Sequence, residues 1–166
     1  TIERARQLTH LVPKHVKRVS VLVGVPTDDF IDKTQNMYDY FQIYDVSPSQ
    51  IQQLKLMSGK KVIVAIKTKD QKAADLHKQY IGIADSFLFD GSSSYGTSSS
   101  FNWDYLKSIK SSFFLAGGIG IENISNALEI SSKVDISSNL EEIEGKKSVK
   151  KIEEFLLKVE KIDEQN

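Results

Sequence analysis

Two short stretches of this sequence carry groups of chemical use at a matched spacing. Gly117 and Gly118 leave bare backbone at the end of the apolar run Phe113 to Ala116, and Ser137, Ser138 and Asn139 end a second short run beyond the next helix. Backbone N–H groups with no side chain over them, hydroxyls, and helix starts just beyond both runs are what a phosphate monoester needs. A plainer reading of the glycines is a tight strand-to-helix turn without ligand. Asp90 stands at the end of the run SFLFD. A carboxyl there can move a proton, or simply open the turn that follows.

The other residues of chemical type form no such set. His10, His15 and His77 lie on or beside predicted helices without metal-ligand spacing, so they read as surface or helix-face histidines. Ser92 to Ser94 and Ser98 to Ser100 are low-complexity loop, with no histidine or acid at a spacing that would make a nucleophile. The Lys and Glu run from Glu141 to Glu164 reads as a solvated helix face. Twenty-two basic and 22 acidic residues balance to a net charge of zero, from which neither a nucleic-acid footprint nor a membrane-surface patch follows. There is no cysteine, hence no disulfide framework and no thiolate metal site, which fits a reducing cytoplasm. No run approaches the ~18 apolar residues of a membrane span.

The elements that must position these groups alternate. Ile2, Ala5, Leu8 and Val12 mark a helical face that Pro13 ends. Strands are predicted over 18–24, 40–44, 62–66, 86–89 and 113–116, with a sixth ending at Ser137 and Ser138. Between them, Thr27, Ser47 with Pro48, and Asp70 are helix starts. The helix faces read as Phe30, Ile31, Thr34 and Met37, then Ile51, Leu54 and Met57, and the helix from Asp70 runs through Tyr80. A further helix lies around Trp103 to Ile109, and Val149, Ile152, Phe155, Leu156 and Val159 mark a closing one.

Six strand-helix units after an opening helix predict an α/β fold with a parallel sheet. It is read as a (β/α)₈ TIM barrel with six of its eight strands visible, residues 1–166 being one barrel domain that lacks its first two strands and first helix. A doubly wound open sheet of six strands satisfies the count alone.

The series VSVLVG, FQIYD, VIVAIK, IADSFLFDG, SFNWDYL, FFLAGGIGIENISNAL, VDISSNLE and EGKKSVKKIEEFL resembles, in that order, the phosphoribosylanthranilate isomerase family of tryptophan biosynthesis. The resemblance implies a cytoplasmic (β/α)₈ isomerase that needs no cofactor or metal and acts on a phosphorylated small molecule as a monomer or weak homodimer, with no nucleic-acid or membrane partner. The reaction implied is the Amadori rearrangement of N-(5-phosphoribosyl)anthranilate to 1-(2-carboxyphenylamino)-1-deoxyribulose 5-phosphate. Asp90 matches the family's general acid. Gln42, Tyr44 and Asp135 match substrate-binding positions, and Gly117, Gly118, Ser137, Ser138 and Asn139 the phosphate site. Gly145, Lys146 and Lys147 match a loop near that phosphate.

Four departures bear on turnover. The family's base is a cysteine on the first strand, and this sequence has none; the missing N-terminal segment is expected to carry it. Tyr44 and Asp45 replace a histidine and a glycine, and Asn139 replaces a glycine. The loop after Asp90 has lost a lysine. Two alternatives therefore stand beside the isomerase: another barrel enzyme acting on a ribulose phosphate, and a non-catalytic or degenerate phosphate-binding barrel.

Overall fold

The computed structural model describes residues 1–91 and 101–164. The serine-rich segment 92–100, read above as a hydroxyl-rich loop, lies outside the described residues. Strands β1 (Val19–Val23), β2 (Tyr40–Tyr44), β3 (Lys61–Lys67), β4 (Ser86–Asp90) and β5 (Phe113–Ala116) follow one another in that order in a five-stranded sheet. β1 pairs with β2 in parallel, Val19 opposite Tyr40, and β2 pairs with β3 in parallel, Tyr40 opposite Lys61. Spatial order equal to chain order, with helices between, is the signature of repeated βα units. The chain divides into two compact units, Thr1–Ala65 with His77–Phe87, and Ile66–Leu76 with Leu88–Asn166.

In the first unit, local sequence explains each element. Thr27 caps α2 (Asp28–Thr34) through the Phe30 amide, with Asp28 and Asp29 in the first turn, where acidic charge suits the helix dipole. Of the predicted face, Ile31 and Thr34 are buried in the helix and Met37 just beyond it, while Phe30 is half-buried. Ser47 and Gln50 form a reciprocal capping box on α3 (Pro48–Ser58), with proline at its first position and Gly59 left-handed at its end. α3 buries Ile51 and Leu54, but Met57 is 43% exposed. Ser58 is the buried residue instead, its hydroxyl donating to the Leu54 carbonyl at 2.7 Å. Asp85 locks the starts of β3 and β4. Its Oδ2 accepts from the Val62 amide at 2.8 Å and from Lys55 Nζ at 2.9 Å, while its own amide donates to the Val62 carbonyl. α1 (Ile2–His10) buries no residue fully, and Leu8 on its predicted face is 51% exposed.

In the second unit, the predicted helix from Asp70 is shorter than its periodicity suggested. α4 covers Gln71–Ala74 and passes into a 3₁₀ turn over Asp75–Tyr80, which re-enters the first unit. The helix around Trp103 is a 3₁₀ turn over Trp103–Leu106. Phe89 and Phe113 pack edge to face with centroids 5.2 Å apart, joining β4 to β5 through their side chains. α5 (Ile124–Ile130) buries Ile124 and Ala127. The expected sixth strand is reduced to one parallel bridge, Val134 on Leu115. The Asp135 amide donates to the Leu115 carbonyl and the Leu115 amide to the Lys133 carbonyl, after which Ser137 at φ −128°, ψ −85° leaves the extended region.

The Lys and Glu run also departs from a continuous helix. Glu141–Ile143 (β6) and Lys146–Lys147 (β7) form an antiparallel hairpin, and Gly145 turns it at φ 77°, a conformation glycine takes without steric cost. α6 (Val149–Asp163) starts only after Ser148 caps it. Phe155 is its buried residue, and Leu156, placed on the apolar face by spacing, is 54% exposed. No described helix is long and apolar enough to cross a membrane.

Candidate active site

The second unit gathers most of the expected functional residues beyond β4 and β5. Asp90 ends β4 after the buried Leu88 and Phe89. Its carbonyl accepts from the Thr68 amide at 2.7 Å, and the next amide, Gly91, donates to the Ala116 carbonyl at 3.4 Å. The backbone that carries this carboxylate is thus tied to the ends of both neighbouring strands. Thr68 is itself buried, with its hydroxyl donating to the Ile66 carbonyl at 3.0 Å.

Asp135 follows the Val134 bridge, so the same ladder that holds Leu115 places its carboxyl. That carboxyl is pushed above its ordinary value. The dense protein around it is the larger cause and the negative charge of Asp90 the second, with Lys147 pulling the other way. Asp135 as a residue keeps solvent access, yet the carboxyl group is crowded enough to lose much of its hydration.

The glycine turn is built by Asn123, which the sequence pattern did not single out, and by Asn139, which it did. Gly117 and Gly118 take φ of 90° and 68°, which residues with a Cβ rarely adopt. Asn123 then closes the loop, accepting from the Gly120 amide at 2.9 Å and donating to the Gly118 carbonyl at 3.0 Å. Asn139 donates to the Ile119 carbonyl at 2.9 Å. It packs so near Gly120 that a Cβ there would lie 3.0 Å from its Nδ2. An open cavity of about 360 Å³ lies here, lined by Gly118, Gly120, Asn123, Asn139, Lys151 and Glu154 among others. Of the five residues expected at a phosphate, Gly118 and Asn139 line it.

Ser137 is held from the hairpin. Lys147 Nζ donates to the Ser137 carbonyl and to its hydroxyl, each at 3.0 Å, and pairs with the Glu141 carboxylate. Ser138 opens a 3₁₀ turn over Ser138–Leu140. The sequence signal for the lysine is that Gly145, Lys146 and Lys147 resemble a family loop near the phosphate.

Gln42 and Tyr44 belong to the first unit, on β2, both buried at 7% exposure. After Tyr44, Asp45 takes φ 55°, the left-handed backbone for which the glycine it replaces would be suited. Tyr80 donates its hydroxyl to the Val46 carbonyl at 2.5 Å. Burial first, then the charge of Asp45, raises its phenol pKa. His77 is buried and lies edge-on to Phe87 with centroids 5.5 Å apart, a core histidine instead of a surface one. Among the described residues no group of three or more His, Cys, Asp or Glu could hold a metal ion.

A parallel sheet with carboxylates and a glycine turn beyond its strand ends defines a βα-repeat protein of the class whose ligands meet the carboxyl ends of the strands. Comparison with known proteins agrees. Residues 1–158 match the family model of N-(5'-phosphoribosyl)anthranilate isomerase, and this chain belongs to that family of isomerases. It is 32% identical to the N-(5'-phosphoribosyl)anthranilate isomerase of Petrotoga mobilis, over 97% of this chain and 80% of the relative. It is 35% identical to that of Rhizobium etli, over 89% and 72%. In fold it is similar to the phosphoribosyl anthranilate isomerase of Thermotoga maritima, with a TM-score of 0.85 at 23% identity over 97% of this chain and 81% of the other. It is also similar to a phosphoribosyl anthranilate isomerase solved in complex with reduced 1-(o-carboxyphenylamino)-1-deoxyribulose 5-phosphate, at a TM-score of 0.80 and 21% identity, over 97% and 80%.

Proposed function

We propose that this chain carries out the isomerisation for which its relatives are named, the Amadori rearrangement of N-(5'-phosphoribosyl)anthranilate to 1-(2-carboxyphenylamino)-1-deoxyribulose 5-phosphate. The reading places it in tryptophan biosynthesis in the cytoplasm, as a monomer or weak homodimer, and takes the sheet as part of a (β/α)₈ barrel. The observation that carries it is the match to the family model over residues 1–158, in a chain that sets Asp90 at the end of β4 and the Gly117 and Gly118 turn directly after β5.

Opening the ribofuranose ring requires a proton on the ring oxygen, and the resulting Schiff base must then lose its C2 proton to give an enolamine. Asp90 is assigned the first proton. Asp135 orients the sugar hydroxyls, and the phosphate lies against Gly117, Gly118, Ser137, Ser138 and Asn139. Gln42 and Tyr44 keep the substrate-binding role that the resemblance implies. The cysteine base that the resemblance implies is not among these 166 residues, so the acid is assigned here and the base is not.

The test is turnover of this substrate by the purified protein, followed by chromatography of the product, with intact mass and terminal fragmentation of the same sample. Turnover that Asp90→Asn lowers by roughly 10²- to 10⁴-fold, the usual weight of one acid–base group, supports the assignment. Tight binding of the reduced product analogue without turnover would favour the second reading, a phosphate-binding member without catalysis, for which Tyr44 in place of histidine speaks. Neither binding nor turnover overturns both.

A further inference from the structure

We infer that Lys147 is a positioning residue for the phosphate turn: by holding the carbonyl and hydroxyl oxygens of Ser137, it leaves the hydroxyl proton of Ser137 to face an incoming anion. The inference rests on the phosphate site proposed above.

The geometry gives Lys147 three partners for its three donors. Two are on Ser137, and the third is the Glu141 carboxylate. An ammonium donates and never accepts, so the Ser137 Oγ accepts in this contact. Its own proton is then directed away from the lysine, toward solvent, and is free for an acceptor such as a phosphate oxygen. Donation by a cation also makes that hydroxyl a better donor, since chained hydrogen bonds polarise one another. With all three ammonium protons engaged, Lys147 acts on an anion through Ser137 and not by a contact of its own.

The hairpin exists to make this reach possible. Gly145 reverses the chain so that Lys147 returns beside Glu141, and the Gly145 amide donates to Glu141 Oε2 at 2.9 Å, leaving Oε1 for the lysine. Glu141 is largely covered, its side chain 15% exposed, whereas Lys147 keeps 45%. Lys151 ties in the same strand by donating to the Glu141 carbonyl at 2.6 Å. The lysine ammonium therefore bridges a fixed carboxylate and a serine.

The experiment measures binding of reduced 1-(o-carboxyphenylamino)-1-deoxyribulose 5-phosphate and of its dephosphorylated counterpart to the whole chain. The proteins are the wild type, Lys147→Met, Lys147→Arg, Ser137→Ala and the Lys147→Met/Ser137→Ala pair. Lys147→Met is expected to weaken the phosphorylated ligand by about tenfold more than the dephosphorylated one, the order of one charge-assisted hydrogen bond. Lys147→Arg should restore part of the loss, and the double variant should bind no worse than Ser137→Ala alone. Equal loss for both ligands would reduce Lys147 to a general support of the fold and overturn the inference. Additive losses would overturn it too, by making the lysine a direct phosphate contact. If the wild type binds both ligands equally, the phosphate site itself is wrong and the inference falls with it.

Discussion

Asp90 and Asp135 reach the same place by different routes, one as the last residue of β4 and the other as the residue after the Val134 bridge, and the charge of the first helps to raise the carboxyl pKa of the second. Because burial is the larger cause, removing Asp90's charge should undo only part of the shift. In Asp90→Asn, the Asp135 carboxyl should titrate nearer its ordinary value of 3.8 while staying above it. In Lys147→Met it should move further up. Carbon-13 titration of the Asp135 carboxyl in each variant reads this directly, and an unmoved Asp135 in Asp90→Asn would break the pairing.

The same shift has a consequence for stability. A carboxyl whose pKa is raised by folding holds its proton more tightly in the native state, so it favours folding at low pH and that contribution is lost as pH rises through the raised value. Asp135→Asn should therefore gain stability relative to the wild type as pH rises above the ordinary value of 3.8, measured by urea unfolding at a series of pH values. A parallel pH dependence of the two proteins would contradict it.

Asp85 behaves in the opposite sense. Burial works against its charge, but the Val62 amide and the Lys55 ammonium outweigh burial and hold the carboxyl below its ordinary value. Its contribution is present above the unfolded pKa of 3.8 and is lost as pH falls through the lowered one. Asp85→Ala should cost about 2 kcal/mol at neutral pH, because a part-buried amide and ammonium lose their acceptor together. The penalty should shrink in acid. Urea midpoints at both pH values check the sign.

Gly120 has no room for a side chain while Asn139 stays where it is. A Cβ would meet Asn139 at Nδ2, Cβ and Cγ, at 3.0, 3.3 and 3.4 Å, and Asn139 is pinned by its bond to the Ile119 carbonyl. Gly120→Ala should destabilise by about 1 to 2 kcal/mol. Gly120→Ala in an Asn139→Gly background should cost less than in the wild type. A double-mutant cycle by thermal unfolding decides whether the two residues couple.

Asp45 carries a left-handed backbone that a β-branched residue tolerates badly. Asp45→Val should lose about 1 to 2 kcal/mol, while Asp45→Gly should be close to neutral, since relief of φ strain is offset by the entropy of a freer unfolded chain. Equal melting shifts for the two variants would place the effect in the side chain.

Much of this was legible in the residues. β1 to β5 announced themselves as β-branched or aromatic runs, and Thr27, Ser47 with Pro48, and Asp70 cap the helices predicted for them. The misses have local causes. Residues 141–147 are rich in Glu and Lys, which suits a helix face as well as an exposed hairpin, and Gly145 was the clue that the chain reverses there. Val134 to Ser138 has strand-like composition, but Ser137 breaks away after two ladder bonds. The Asp135 shift depends on Asp90, 45 positions earlier by the numbering, and no pattern of spacing encodes that proximity. Asn123 was visible only as a polar residue near glycines, because side-chain bonds to turn carbonyls leave no periodic trace.

The ends of α3 carry a kinetic meaning as well. Ser47, Gln50, Pro48 and Gly59 define both termini of this helix from neighbours within its own sequence, so its boundaries need no distant contact to form. β2, α3 and the start of β3 are consecutive in the chain, and β2 pairs directly with β3, which keeps loop closure short. Along residues 40–65, order can nucleate before the rest of the first unit has been recruited.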